Sequence, residues 1–307
     1  MGMSTLQQMV KAACVGLVLA CGLSVSSVLA QDLEIVVGER VTDMTGQVHI
    51  DWMSPQALMV AQQQAFFIDI PPSVTGLNTP DVISDRTGLL FECVNQFTGQ
   101  LIPFCDLTFT LDRTPFSAGH DHDDVSRPVG EFIPPAGNSG SDGILETDYI
   151  APDVSGVVTL TVTGVEPSGQ PVLSATAAIA VRVLGLQDLG PGANYNLIGA
   201  VPGIHTDNHY GTPAFNSKLV TVANIYAAAF PSFKLDLNDM SLVQGGLFDL
   251  NANWMPSHRT HRFGVNLDLR SKTIPQSQRN TLKQIITNAG IRKTLEEKNP
   301  PHWHLTE

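Results

Sequence analysis

The sequence predicts two domains in tandem: an all-β sandwich over residues 31–190, then an α+β domain over residues 191–307 with helices against a small, mostly antiparallel sheet. Three observations carry this reading. Apolar residues alternate with polar ones in short runs through the first part and recur at helical spacing beyond about residue 195. Between the two regimes, Gly185, Gly190, Pro191 and Gly192 cluster within 185–196, as residues at a domain junction do. Charge divides near the same place: residues 31–190 carry 5 Lys and Arg against 21 Asp and Glu (net −16), whereas residues 191–307 carry 11 against 8 (net +3).

Residues 1–30 read as a signal peptide. Lys11 is the sole charge before Asp32, an apolar stretch follows from Ala12 to Val28, and Val28-Leu29-Ala30 makes a small-residue cleavage site. Gly16, Gly22 and several serines break the stretch, which argues against a permanent membrane span. An alternative lies in Val18-Leu19-Ala20-Cys21, which has the form of a lipoprotein cleavage box, so membrane attachment is expected only if Cys21 is lipidated. Both readings place the mature chain outside the cytoplasm, in the periplasm or secreted. Removing 30 residues leaves 277, enough for two cores. The acidic front half argues against a nucleic-acid partner.

In the first domain, D-L-E-I-V-V, A-F-F-I-D-I, D-L-T-F-T-L-D, G-V-V-T-L-T-V-T and S-A-T-A-A-I-A-V-R-V are rich in β-branched and aromatic residues and are punctuated by Pro, Gly, Asn and Asp. Strands of this number and spacing suggest a sandwich of immunoglobulin-like size. Cys93 and Cys105, twelve residues apart around Thr98-Gly99, are expected to form a disulfide closing a hairpin. His120 and His122 in A-G-H-D-H-D-D have the look of a metal clip, but a solvated acidic loop is the expectation.

In the second domain, Leu219, Val222, Ala223 and Tyr226 predict a helix, with Asn216 or Ser217 as N-cap. Leu282, Ile285, Ile286 and Ala289 predict another, closed by Gly290. F-K-L-D-L-N-D and G-V-N-L-D-L-R read as strands, and P-H-W-H-L-T-E as a terminal strand.

The chemistry lies in this domain. His261 and Asp268 are seven residues apart in H-R-F-G-V-N-L-D, and His302 and His304 flank Trp303. Strand alternation turns Leu267 and Leu269 inward and Asp268 to the other face. In the same way it puts His302 and His304 on one face and Trp303 on the opposite one. Two imidazoles and a carboxylate, His261, Asp268 and His304, are a ligand set for a catalytic zinc whose fourth position is left to water. Gly264 permits close approach of the chain between two of these ligands. His302 is left beside the metal to handle protons.

H-x6-D followed by a late H-x-H resembles the zinc D,D- and L,D-peptidases of bacterial peptidoglycan. That group includes the D-alanyl-D-alanine carboxypeptidases and penicillin-insensitive murein endopeptidases, and shares its fold with the hedgehog signalling domain. N-D-M-S-L-V-Q-G-G upstream, and His258 three residues before His261, are similar to the endopeptidase branch. The resemblance spans about residues 195–307. It implies Zn2+ at His261, Asp268 and His304, and His302 at the reacting centre. Carboxypeptidases of the group carry a catalytic Glu shortly before the zinc His; Glu296 and Glu297 stand too far upstream to match.

Other residues are candidates to stand behind the ligands or to touch substrate: His258, Arg259, Asp239, Ser241 and His209, with Arg262 and His205. Each also has an ordinary structural reading. The expected function is an exported zinc metallopeptidase that hydrolyses amide bonds in peptidoglycan peptides, a cross-link above all. The alternatives are a carboxypeptidase trimming terminal D-alanine, or a non-catalytic surface-binding protein with a structural zinc.

Overall fold

The structure is a computed structural model that describes residues 33–42, 48–52, 67–70, 86–95, 97–116, 120–122, 128–199, 205–255, 260–298 and 300–307. The segment 1–30 with Cys21, and the candidates His258 and Arg259, lie outside the described residues. The chain is mostly β, with two α-helices among the described residues.

Ten strands among the described residues join in the first sheet: β1 (Leu33–Thr42), β2 (Val48–Trp52), β3 (Phe67–Ile70), β4 (Arg86–Asn95), β5 (Asp106–Thr114), β6 (Glu131–Ile133), β7 (Ala136–Asn138), β8 (Ile144–Ile150), β9 (Gly156–Val165) and β10 (Pro171–Val181). The path runs β6-β8-β4-β1-β10-β9-β5-β7, with β2 on β1 and β3 on β10. Three strands separate β4 from β5 along this path. Even so, the rings of Phe91 on β4 and Phe109 on β5 lie 4.8 Å apart. The sheet therefore folds over on itself. Its two halves close on one core that includes Leu89, Phe91, Leu107, Val158, Leu160 and Ile179. Val158, Leu160 and Val162 are buried at alternate positions of β9, the pattern expected of a strand with one face inward.

The Cys93–Cys105 disulfide is present. Its setting differs from the expected hairpin. Val94 bridges Leu101 and the Asn95 amide donates to the Gln100 carbonyl at 2.9 Å, so a short hairpin does form. The chain then turns at Phe104, whose φ is +60°, and β5 pairs with β9 and β7 instead of β4. The disulfide thus ties the two layers together. Strands β4 and β8 escaped the sequence reading. Most of β4 is buried as an unbroken run, and β8 alternates through Glu146 and Asp148, which dilute its apolar signal.

The remaining elements are β11 (Gln187–Asp188), β12 (Tyr195–Leu197), β13 (Tyr210–Gly211), α1 (Pro213–Ala229), β14 (Leu235–Leu237), β15 (Asn266–Arg270), α2 (Arg279–Asn288), β16 (Arg292–Lys298) and β17 (Pro301–Thr306). The second sheet has the order β12-β14-β15-β17-β16, and only β12–β14 is parallel. The Gly/Pro-rich stretch at 185–196 is built into this region: β11 pairs with β13, and Tyr195 is buried. Helix α1 starts earlier than expected. Thr212 is its N-cap, its Oγ1 accepting from the Phe215 amide at 3.1 Å, and Pro213 takes the first turn. Asn216 lies inside the helix, and its Nδ2 donates to the Gln187 carbonyl at 2.9 Å.

Leu235, Leu237, Leu267, Leu269, Trp303 and Leu305 point from the sheet into a second core, against Phe215, Leu219 and Tyr226 of α1 and Leu282 and Ile286 of α2. The helices thus occupy one face, and the other face of the sheet is left for a site. The two cores meet along 153–154 and 246–247. Val154 bridges Gly246, and Arg262 Nη2 donates to Asp153 Oδ2 at 3.3 Å.

Candidate metal centre

Strands β15 and β17 pair antiparallel with Asp268 directly opposite His304, Leu269 opposite Trp303 and Arg270 opposite His302. Directly opposed residues share a face. Leu269 and Trp303 therefore go to the core, which frees Asp268, His302 and His304 to project together on the far side. His304 Nδ1 lies 2.8 Å from Asp268 Oδ1. His261, in the turn before β15, brings Nε2 to 3.4 Å from the same oxygen. Gly264 shapes that turn. Its φ is +71°, and an added Cβ would fall 2.4 Å from Leu186 Cδ2 and 2.9 Å from Gly211 Cα.

One ligand atom from each of His261, Asp268 and His304 falls within 4.8 Å of the others, so the group can hold a metal ion. Tetrahedral coordination at 2.0–2.1 Å separates ligand atoms by about 3.3 Å, and the 2.8 and 3.4 Å separations bracket that value. The donor chemistry fits as well: two neutral imidazoles and a carboxylate suit a borderline divalent ion. Burial alone would push the Asp268 carboxyl up. The close imidazoles of His261, His304 and His302 outweigh burial and hold it well below the usual carboxylate range.

The three residues sit at one side of an open cavity of about 320 Å³, lined also by His302, Asp239 and Glu297. His302 Nδ1 donates to the Pro300 carbonyl at 2.8 Å, which fixes the ring. Its Nε2 lies 3.5 Å from Asp268 Oδ2 and 3.7 Å from Glu297 Oε2. Spacing along the chain alone sets Glu297 apart from the H-x-H motif. The β16–β17 pairing sets it directly opposite His302, so the hairpin delivers a carboxylate that linear distance from the H-x-H motif conceals. Only a prediction that β16 is a strand would have revealed it.

The other candidates divide. Asp239 borders the cavity, accepting from Asn208 Nδ2 at 2.7 Å and from Asn238 Nδ2 at 2.9 Å. Burial, then the charge of Asp268, push its carboxyl up to about 7, against a smaller pull from Arg270. Ser241 is fully buried and its backbone bridges Tyr210, away from the cavity lining. His209 also turns from the cleft: its Nε2 is 2.9 Å from the Ile198 carbonyl and 3.4 Å from that of Leu237. Arg262 is buried against Asp153 and is not set to receive a substrate carboxylate. His120 and His122 are not in a solvated loop. They are packed with His205 and Asp249 between the two cores.

Among the described residues, no helix is long and apolar enough to cross a membrane. No family model and no curated protein matches the chain. Among solved structures, an ASH/PapD-like domain of human CEP192 (PapD-like domain 7) is similar over 53% of this chain and 94% of that chain, at 11% identity and a TM-score of 0.29.

Proposed function

We propose that the protein is an exported zinc-dependent peptidase that hydrolyses an amide bond in peptidoglycan peptides, with a cross-link as the bond cut. The observation that carries the reading is a three-residue ligand set, His261, Asp268 and His304, opening onto a cavity with His302 poised beside it. Three protein ligands and an open side are the arrangement of catalytic zinc sites, whereas structural sites are closed by four. The disulfide between Cys93 and Cys105 accords with export to an oxidising compartment. Zinc bound there supplies a Lewis acid and a water activated near neutral pH.

The chain's own residues divide the remaining work. Asp268 stays ionised, as a metal ligand must, with its Oδ1 2.8 Å from His304 Nδ1 and 3.4 Å from His261 Nε2. His302 has its Nδ1 proton engaged by Pro300, so Nε2 is the atom that accepts a proton from the nucleophile and returns it to the leaving amine. Glu297, 3.7 Å away, favours the charged imidazolium when it forms. The buried sheet beneath the site holds these groups in place during the reaction.

A second reading has one observation in its favour. Glu297 supplies, from the neighbouring strand, a carboxylate at the reacting centre of the kind that the carboxypeptidase branch carries, which supports trimming of terminal D-alanine. Digestion of cross-linked and uncross-linked muropeptides separates the two: loss of cross-linked dimers marks an endopeptidase, and release of free D-alanine alone marks a carboxypeptidase. Neither product from folded, zinc-loaded protein would leave only the binding-protein alternative.

A further inference from the structure

We infer that His120, His122, His205 and Asp249 form a second metal site, closed and structural, which binds a zinc-class divalent cation and clamps the β module to the second core. One ligand atom from each of the four lies within 4.8 Å of the others. Asp249 Oδ1 is 3.0 Å from His120 Nε2, 3.1 Å from His122 Nε2 and 2.9 Å from His205 Nε2. His120 Nε2 and His122 Nε2 are 2.8 Å apart.

Protons alone do not satisfy this arrangement. His120 Nδ1 faces the Leu247 carbonyl at 2.8 Å, and a carbonyl only accepts, so Nδ1 carries the hydrogen. The two Nε2 atoms and Asp249 Oδ1 then form a triangle with every side at 2.8–3.1 Å. One hydrogen serves one side and leaves lone pairs facing each other on the other two. Two hydrogens directed at the oxygen bring two N–H groups head to head, on a charged ring. A cation at the centre is attractive to all the atoms at once, and the separations fall within a few tenths of an ångström of the roughly 3.3 Å tetrahedral edge.

The outer groups have the form that metal ligands take. The imidazole of His120 donates its other ring hydrogen to a backbone carbonyl, and Asp249 Oδ2 accepts from the amides of Asn253 and Trp254, each at 2.7 Å. The loop that supplies those amides holds Ala252 at φ +51° and Trp254 at φ +56°, and the Trp254 ring covers His120 and His122 at 4.8 and 4.4 Å. Side chains of the four ligands are at most 7% exposed. Four protein ligands with no open position define a structural site. Three imidazoles favour zinc, or a neighbouring first-row ion, over calcium or magnesium. His120 and His122 follow β5 of the first sheet, while His205 and Asp249 lie between β12 and β15 of the second, so the ion would cross-link the two regions.

This site shares no ligand with the His261 centre, and the test treats them separately. Metal content of the purified chain is measured by mass spectrometry for wild type, His304→Ala, His122→Ala and the double variant. Two equivalents are expected for wild type, one for each single variant and none for the double, with the melting temperature lower by roughly 5 °C or more in His122→Ala. If His122→Ala does not fold, wild type and His304→Ala decide alone: one equivalent retained in His304→Ala supports the second site. A single equivalent that disappears in His304→Ala overturns the second site and leaves the peptidase reading intact. A single equivalent that survives in His304→Ala and disappears in His122→Ala does the reverse.

Discussion

His304 on β17 stands directly opposite Asp268 on β15, and its Nδ1 lies 2.8 Å from the Asp268 carboxylate. One register therefore sets both the core and the site, because a one-residue slip would bury the imidazole and expose Trp303. A carboxylate and an imidazole held by a sheet are placed more rigidly than the same groups on a loop.

Removing His302 separates chemistry from scaffold. It borders the cavity without belonging to the ligand set. His302→Ala is expected to keep metal content and melting temperature while muropeptide hydrolysis falls on the order of a hundredfold. A wild-type rate with normal metal content would exclude a catalytic role.

Gly264→Ala is expected to damage fold and site together. Positive φ alone costs about 1–2 kcal/mol for a residue with a Cβ, and the new carbon would collide with Leu186 and the Gly211 backbone. Urea denaturation should show a loss of at least ~2 kcal/mol. An unchanged midpoint would mean that the turn between His261 and Asp268 tolerates other conformations.

Loss of the disulfide should loosen the two-layer β structure. Closing a loop of this length contributes about 3 kcal/mol in the chain-entropy view. The Cys93→Ala/Cys105→Ala pair is expected to unfold at a lower denaturant midpoint, with an unfolding free energy smaller by about 3 kcal/mol, read by near-ultraviolet circular dichroism. The same midpoint in oxidised and reduced wild type would contradict it.

His209 should make stability fall in mild acid. Burial pushes its imidazole below its ordinary value, partly offset by the Ile198 and Leu237 carbonyls. The unfolded chain then binds the proton more readily than the folded one, so stability is full above the unfolded pKa of about 6.5 and declines as pH drops through it. The decline is at most about 1.4 kcal/mol per pH unit from one group. His209→Gln is expected to be less stable at pH 8 but to show a shallower slope between pH 6.5 and 5 in urea titrations. An unaltered slope would assign the acid sensitivity elsewhere.

Much of the His261 centre was legible because its geometry is local. Alternation along P-H-W-H-L and G-V-N-L-D-L dictates which side chains share a face, and antiparallel pairing of those two strands is enough to join them. Thr212 was also legible in principle, since Thr before Pro213 is a helix-start signal stronger than Asn216. Strand β16 was not. R-K-T-L-E-E-K is composed of helix formers, and its charges suit an edge strand, whose outer side must resist further pairing. With it went Glu297. The cluster of His120, His122, His205 and Asp249 was out of reach for a different reason. Its members are up to 129 residues apart, and only the packing of one core on the other brings them together.

Digestion of purified cross-linked peptidoglycan is the most direct measurement, with fragments identified by mass spectrometry for wild type, for wild type with chelator, for the chelated sample resupplied with zinc, and for His304→Ala. The expected result is conversion of cross-linked dimers to monomers that stops with chelator, resumes with zinc and is absent in His304→Ala. Folded, zinc-loaded protein that releases no fragment, or release that persists with chelator and in His304→Ala, would contradict a zinc peptidase centred on His261, Asp268 and His304.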